Sequence, residues 1–116
     1  MEESILKTIQ NRLGPDSSYD VFTPDILLGI NSAISVLTQL GIGPENGFRI
    51  TGEDETWSDL VGDVSYLEMV KDYIYLKVKL VFDPPSNSSL VNFYKQECNE
   101  LEWRLNVAVD PEKEST

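Results

Sequence analysis

The run Tyr73-Ile-Tyr-Leu-Lys-Val-Lys-Leu-Val-Phe-Asp-Pro-Pro85, with Ser65 to Asp72 leading into it, does most to limit what this chain can become. Read with a period of two, Ile74, Leu76, Val78, Leu80 and Phe82 face one way and Tyr73, Tyr75, Lys77 and Lys79 the other, as in a strand. Read as a helix, Glu68, Lys71, Asp72, Tyr75 and Lys79 form a polar stripe about 100° wide, and the rest is apolar or aromatic except Ser65 and Lys77. The helical reading also accounts for Leu67, Met69 and Val70, and the segment exceeds the roughly 3–10 residues usual in strands. A helix over 65–82 is therefore expected, ended by Asp83-Pro84-Pro85. The alternative is an α+β fold with 73–82 as a strand. Lys77, in mid-arc, must snorkel past the core or find a carboxylate. An element apolar almost all round, joined to an exposed acidic loop, suits a part of a larger assembly.

The remaining elements read as helices of one domain over 1–109, a bundle of four main helices and a short one. The first, roughly Glu2 to Leu13, places Ile5, Leu6, Ile9 and Leu13 on one face and stops at Gly14-Pro15. Thr23-Pro24-Asp25 reads as a helix start, with a capping hydroxyl, proline at the first helical position and a carboxylate in the first turn. From there Ile26, Leu27, Ile30, Ala33, Ile34, Leu37 and Leu40 share an arc of about 140°. The opposite face carries Asn31, Ser32, Ser35, Thr38 and Gln39 around Leu28, and faces either solvent or a partner. Gly41 to Thr56 is turn-rich, with Phe48-Arg-Ile-Thr51 as a short strand. Thr56-Trp-Ser-Asp59 has the capping-box pattern of a short helix. Ser86 to Ser89 offers hydroxyl caps for a last helix, on which Leu90, Val91, Tyr94, Cys98, Leu101 and Leu105 line one face. Phe93, Trp103 and Val107 form a second patch, and 110–116 reads as a frayed tail. The expected core includes Ile30, Ile34, Leu37, Val70, Ile74, Leu101 and Leu105.

Chemistry is hard to place on this chain. It has no histidine, which removes the commonest general base and metal ligand. Its one cysteine, Cys98, lies on an apolar stripe, reads as core and suits a reducing cytoplasm. Gly41-Ile-Gly-Pro44 lacks the spacing and lysine of a phosphate loop, and Glu53-Asp-Glu55 lacks the alternating ligands of a calcium loop. No catalytic, cofactor or metal residue is assigned, and no enzyme is expected. The opening Met-Glu-Glu-Ser4 resembles no signal peptide, and no stretch approaches eighteen consecutive apolar residues, so no membrane partner is expected.

Net charge is −11, from 20 acidic and 9 basic residues. Eight acids fall between Glu45 and Asp72: Glu45, Glu53, Asp54, Glu55, Asp59, Asp63, Glu68 and Asp72. Such a chain lacks the cationic footprint that phosphate binding requires, so specific nucleic-acid binding is not expected. The acidic run is either a solvated loop or a docking surface for a basic partner.

Four blocks carry a resemblance: Leu40-Gly-Ile-Gly-Pro-Glu-Asn-Gly-Phe48, Thr56-Trp-Ser-Asp-Leu-Val-Gly62, the Tyr73 to Pro85 run, and Glu100-Leu-Glu-Trp-Arg-Leu-Asn-Val107. In this order they resemble the head–tail connector, or adaptor, proteins of tailed phages and prophages of Gram-positive bacteria, over about Ile5 to Val109. The resemblance implies a small helical subunit that forms a ring beneath the portal, extends the DNA channel and meets another neck or tail protein. Its partners would be its own copies, the portal and that neighbour, with DNA at most passing through. Its place would be the host cytoplasm during assembly and then the virion neck. Candidate interface residues are Phe48, Arg49, Ile50, Trp57, Trp103, Phe93 and Leu28, since tryptophan is favoured at hot spots. For the two tryptophans, local packing is the competing role. Glu53, Asp54, Glu55 and Asp59 are the candidate channel or docking surface, with Arg49 or Lys79 as a counter-charge. A rival reading is an acidic DNA-mimic inhibitor, and a third is a cellular regulatory helical protein acting by protein binding.

Overall fold

The computed structural model describes residues 3–62 and 64–114. Asp63, Glu2 at the expected start of the first helix, and the end of the tail at 115–116 lie outside the described residues. Among the described residues five α-helices follow one another: α1 (Ile5–Leu13), α2 (Thr23–Gln39), α3 (Trp57–Leu60), α4 (Leu67–Phe82) and α5 (Ser88–Glu114). Short 3-10 turns at Pro15–Ser18 and Asp20–Phe22 join α1 to α2. Among the described residues there is no strand, only an isolated antiparallel bridge between Ser4 and Thr56. The fold is all-α, and the 65–82 ambiguity resolves as a helix.

The core lies where α4 meets α2 on one side and α5 on the other, with α1 against α4. From α2, Ile26, Ile30, Ala33, Ile34 and Leu37 are buried, and from α4 Val70, Tyr73, Ile74 and Val78. Cys98, Leu101, Leu105 and Val109 complete it from α5. The seven expected core residues are therefore interior. By length and composition the segment Asp20–Gln39 could cross a membrane, but its apolar arc is here turned onto α4. Gly29 lets α2 approach α4 closely, because a Cβ there would stand 3.3 Å from Val78 Cγ2.

Several local expectations change. Thr23 is not the cap of α2: the residue before it, Phe22, is already helical in backbone, because the Asp20–Phe22 turn feeds straight into the helix. Pro24 is accordingly the second helical residue rather than the first, and Asp25 lies in the first turn as expected. Asn31 leaves the polar face and is buried, where its carboxamide serves the backbone of Ile50. With those backbone groups bonded to a side chain, Phe48–Thr51 forms no strand. Asn87, rather than a serine hydroxyl, caps α5: its Oδ1 accepts from the N–H groups of Ser89 at 2.8 Å and Leu90 at 3.2 Å. Val109 is buried, and α5 extends past it, through Pro111 to Glu114, into the segment expected as a tail. Lys77 takes the snorkelling course, its ammonium 5.9 Å from the centre of the Tyr73 ring.

Candidate protein-interaction surfaces

The acidic loop is held at its base by a small ladder. Ile5 N–H donates to Glu55 O at 3.1 Å and Trp57 N–H to Glu3 O at 3.2 Å. The bridged residues, Ser4 and Thr56, are also the N-caps of α1 and α3. Ser4 Oγ accepts from Lys7 N–H at 3.2 Å. Thr56 and Asp59 form the capping box read from the sequence: Asp59 N–H donates to Thr56 Oγ1 at 3.2 Å, and Thr56 N–H to Asp59 Oδ2 at 3.0 Å.

Trp57 lies beneath this ladder and is buried, so it is a packing residue and presents nothing to a partner. Its indole N–H donates to Thr8 Oγ1 at 3.0 Å, and Thr8 in turn donates to Ser4 O at 2.7 Å. Lys71 stands over the indole, 5.6 Å from a ring centre, and donates to Glu3 at 2.9 Å. That hydrogen bond holds the Glu3 carboxyl below its ordinary pKa. Ile50 is likewise interior, at 1 % exposure, and drops out of the surface candidates. A large aromatic in an acidic loop reads equally as an anchor for a partner or for the loop itself. Here the loop needed the anchor.

The four candidate carboxylates divide by task. Burial raises the Glu55 pKa, but donation from Thr51 outweighs it and leaves the group below its ordinary range. The donors are Thr51 N–H at 3.1 Å and Thr51 Oγ1–H at 2.9 Å, with Gly52 N–H at 3.4 Å. Asp59 serves the capping box. Glu53 lies 3.5 Å from Lys7, and Asp54 is exposed. Among the described residues no group of acids is placed to hold a metal ion. Phe48 is half-buried against the core and Arg49 is exposed. Lys79 is occupied within its own helix end, donating to Asp83 at 2.9 Å, which raises its pKa.

Uncovered apolar surface lies elsewhere. On α5, Trp103 is 67 % exposed and Phe93 53 %, with Val107 exposed one turn beyond Trp103 and the Glu100–Arg104 ion pair along one flank of it. The inner side of α5 is fastened to α4 by Tyr73, whose hydroxyl donates to Glu102 at 2.7 Å. Burial and that carboxylate raise the Tyr73 pKa. Cys98, beneath, is held up in pKa by burial, as a core thiol should be.

A second uncovered surface is a groove of about 490 Å³ between α2 and α4. Gly29 and Val78 form part of its floor, Leu28 and Val81 its rims, and Asp25 and Lys77 its charges. Phe22 and Phe82 line it too, packed edge to face with ring centres 5.3 Å apart. Leu28 is 68 % exposed and Val81 80 %. Sequence reading singled out Leu28 but assigned Val81 to the apolar arc of α4. The signal for the groove was that arc's excess width.

These surfaces are apolar and lack paired chemistry, as a subunit that works by contact requires. The family model described as phage connector protein matches residues 5–112, nearly the whole chain. This chain belongs to the phage connector protein family. No curated protein and no solved structure matches it. The role of such a connector is structural, within a phage particle, and its contacts are with other head or tail proteins.

Proposed function

We propose that this connector is the repeating subunit of a ring in the neck of a tailed phage, seated beneath the portal and joining capsid to tail. The observation that supports this most is the presence of two separate apolar surfaces, on α5 and between α2 and α4, uncovered in a family of assembly proteins. Phe93, Trp103 and Leu28 are the contact residues in this reading. Isolated large apolar groups are common on surfaces, but grouped ones with polar rims mark contact sites.

The ring extends the DNA channel. Carboxylates facing a channel repel phosphates and let DNA slide, and a ring repeats each of them once per subunit. Asp54 and Glu53 are the exposed candidates for that wall. An inhibitor that mimics DNA needs carboxylates free along an extended face, whereas Glu55 is engaged by Thr51 within the loop and Asp59 by the capping box. The neck reading is therefore preferred.

The test is co-expression with the portal protein from the same phage, followed by electron microscopy. A ring of this chain on the portal is expected. Monomers alone, with portal present and at high protein concentration, would overturn the proposal.

A further inference from the structure

Resting on the ring reading, we propose that the groove between α2 and α4 receives the outer face of α5 from a neighbouring copy, with Trp103 entering between Leu28 and Val81. The two surfaces belong to different parts of one molecule, so their pairing is head-to-tail and propagates from copy to copy, closing into a ring when the rotation allows.

Charge identifies the occupant as a second copy. The chain carries a net charge of −11, so most ways of pressing two copies together juxtapose like charges. These two surfaces avoid that. The groove holds one acid and one base, Asp25 and Lys77, on its opposite walls. The α5 face holds one acid and one base beside Trp103, Glu100 and Arg104, a turn apart and paired with each other at 3.3 Å. Seating the indole in the groove brings that pair up to Asp25 and Lys77, two acids against two bases, and the contact is locally neutral. The acidic surplus in 45–59 stays outside it. The chemistry also matches, because the apolar groove takes a flat aromatic ring that is two-thirds exposed in the single chain.

The pairing is tested by complementation. Leu28→Asp spoils the groove and leaves the α5 face intact. Trp103→Ala does the reverse. Both positions are exposed, and circular dichroism checks that each variant folds. In sedimentation velocity each variant alone is expected to self-associate roughly tenfold or more weakly than wild type. Mixed together they are expected to form a two-chain complex and stop there, since only one intact groove and one intact face remain. Val81→Asp repeats the groove test on the other wall.

If wild type assembles and the groove variants assemble equally well, the pairing is wrong while the ring reading stands. If Trp103→Ala fails to assemble but the groove variants do not, α5 docks on another surface and the pairing is again overturned. A wild type that never assembles, with or without portal, removes the ring reading and this inference with it.

Discussion

The carboxamide of Asn31 bonds both backbone polar groups of Ile50, donating from Nδ2 to the carbonyl at 3.0 Å and accepting the N–H on Oδ1 at 2.8 Å. A side chain on α2 thus does for the loop what a neighbouring strand would otherwise do. Ile50 is carried into the core as a result. Replacing Asn31 by Ala leaves two buried backbone groups without partners, at about 1–3 kcal/mol each. Urea unfolding is expected to show that loss. Hydrogen exchange should locate faster opening in the 41–56 loop, and unchanged exchange there would remove the assigned role.

The two tryptophans should behave oppositely. Trp57→Ala removes a buried indole and its bond to Thr8, and a cost of about 3–5 kcal/mol is expected. Trp103→Ala, at an exposed position, should change monomer stability by no more than about 0.5 kcal/mol. Leu101→Ala, beneath the same helix, should cost about 2–5 kcal/mol. Fluorescence gives an independent check: the spectrum of Trp103→Ala, which reports Trp57 alone, should be blue-shifted and poorly quenched by iodide.

Gly29 tests the α2–α4 contact. A methyl there must displace Val78 Cγ2 by a few tenths of an ångström, while alanine favours the helix by up to about 1 kcal/mol. Gly29→Ala is therefore expected to be near neutral in thermal unfolding. Gly29→Val adds bulk where the helices meet and should destabilise by about 1–3 kcal/mol.

Acid should loosen the loop before the bundle. Glu3 and Glu55 both have folded-state pKa values below the ordinary 4.5. Their contribution is thus fully present above 4.5 and is lost as pH falls from there through the lowered values. Glu3 is exposed and Glu55 lies near the surface, so solvent screening keeps the effect small. Glu55→Gln mimics the protonated acid, so it should lie slightly below wild type near neutral pH and converge with it as pH falls, giving a flatter profile in this range. A variant profile that runs parallel to wild type below 4.5 would contradict the role given to Glu55.

Period and punctuation alone carried the helices of this connector: the apolar arc on α2, the double-proline stop after Phe82 and the Thr56–Asp59 capping box are local features, and local energetics suffice to read them. Sequence also separated the inner stripe of α5 from the patch of Phe93, Trp103 and Val107, because a helix has only one side turned to its own core. Tertiary packing decided the rest. Whether an aromatic such as Trp57 anchors its own loop, whether Asn31 faces water or the backbone of Ile50, and which rim of an over-wide apolar arc leaves Val81 bare all depend on residues distant in the chain. Burial is a competition among all faces for the same interior, and a single segment carries no record of its outcome.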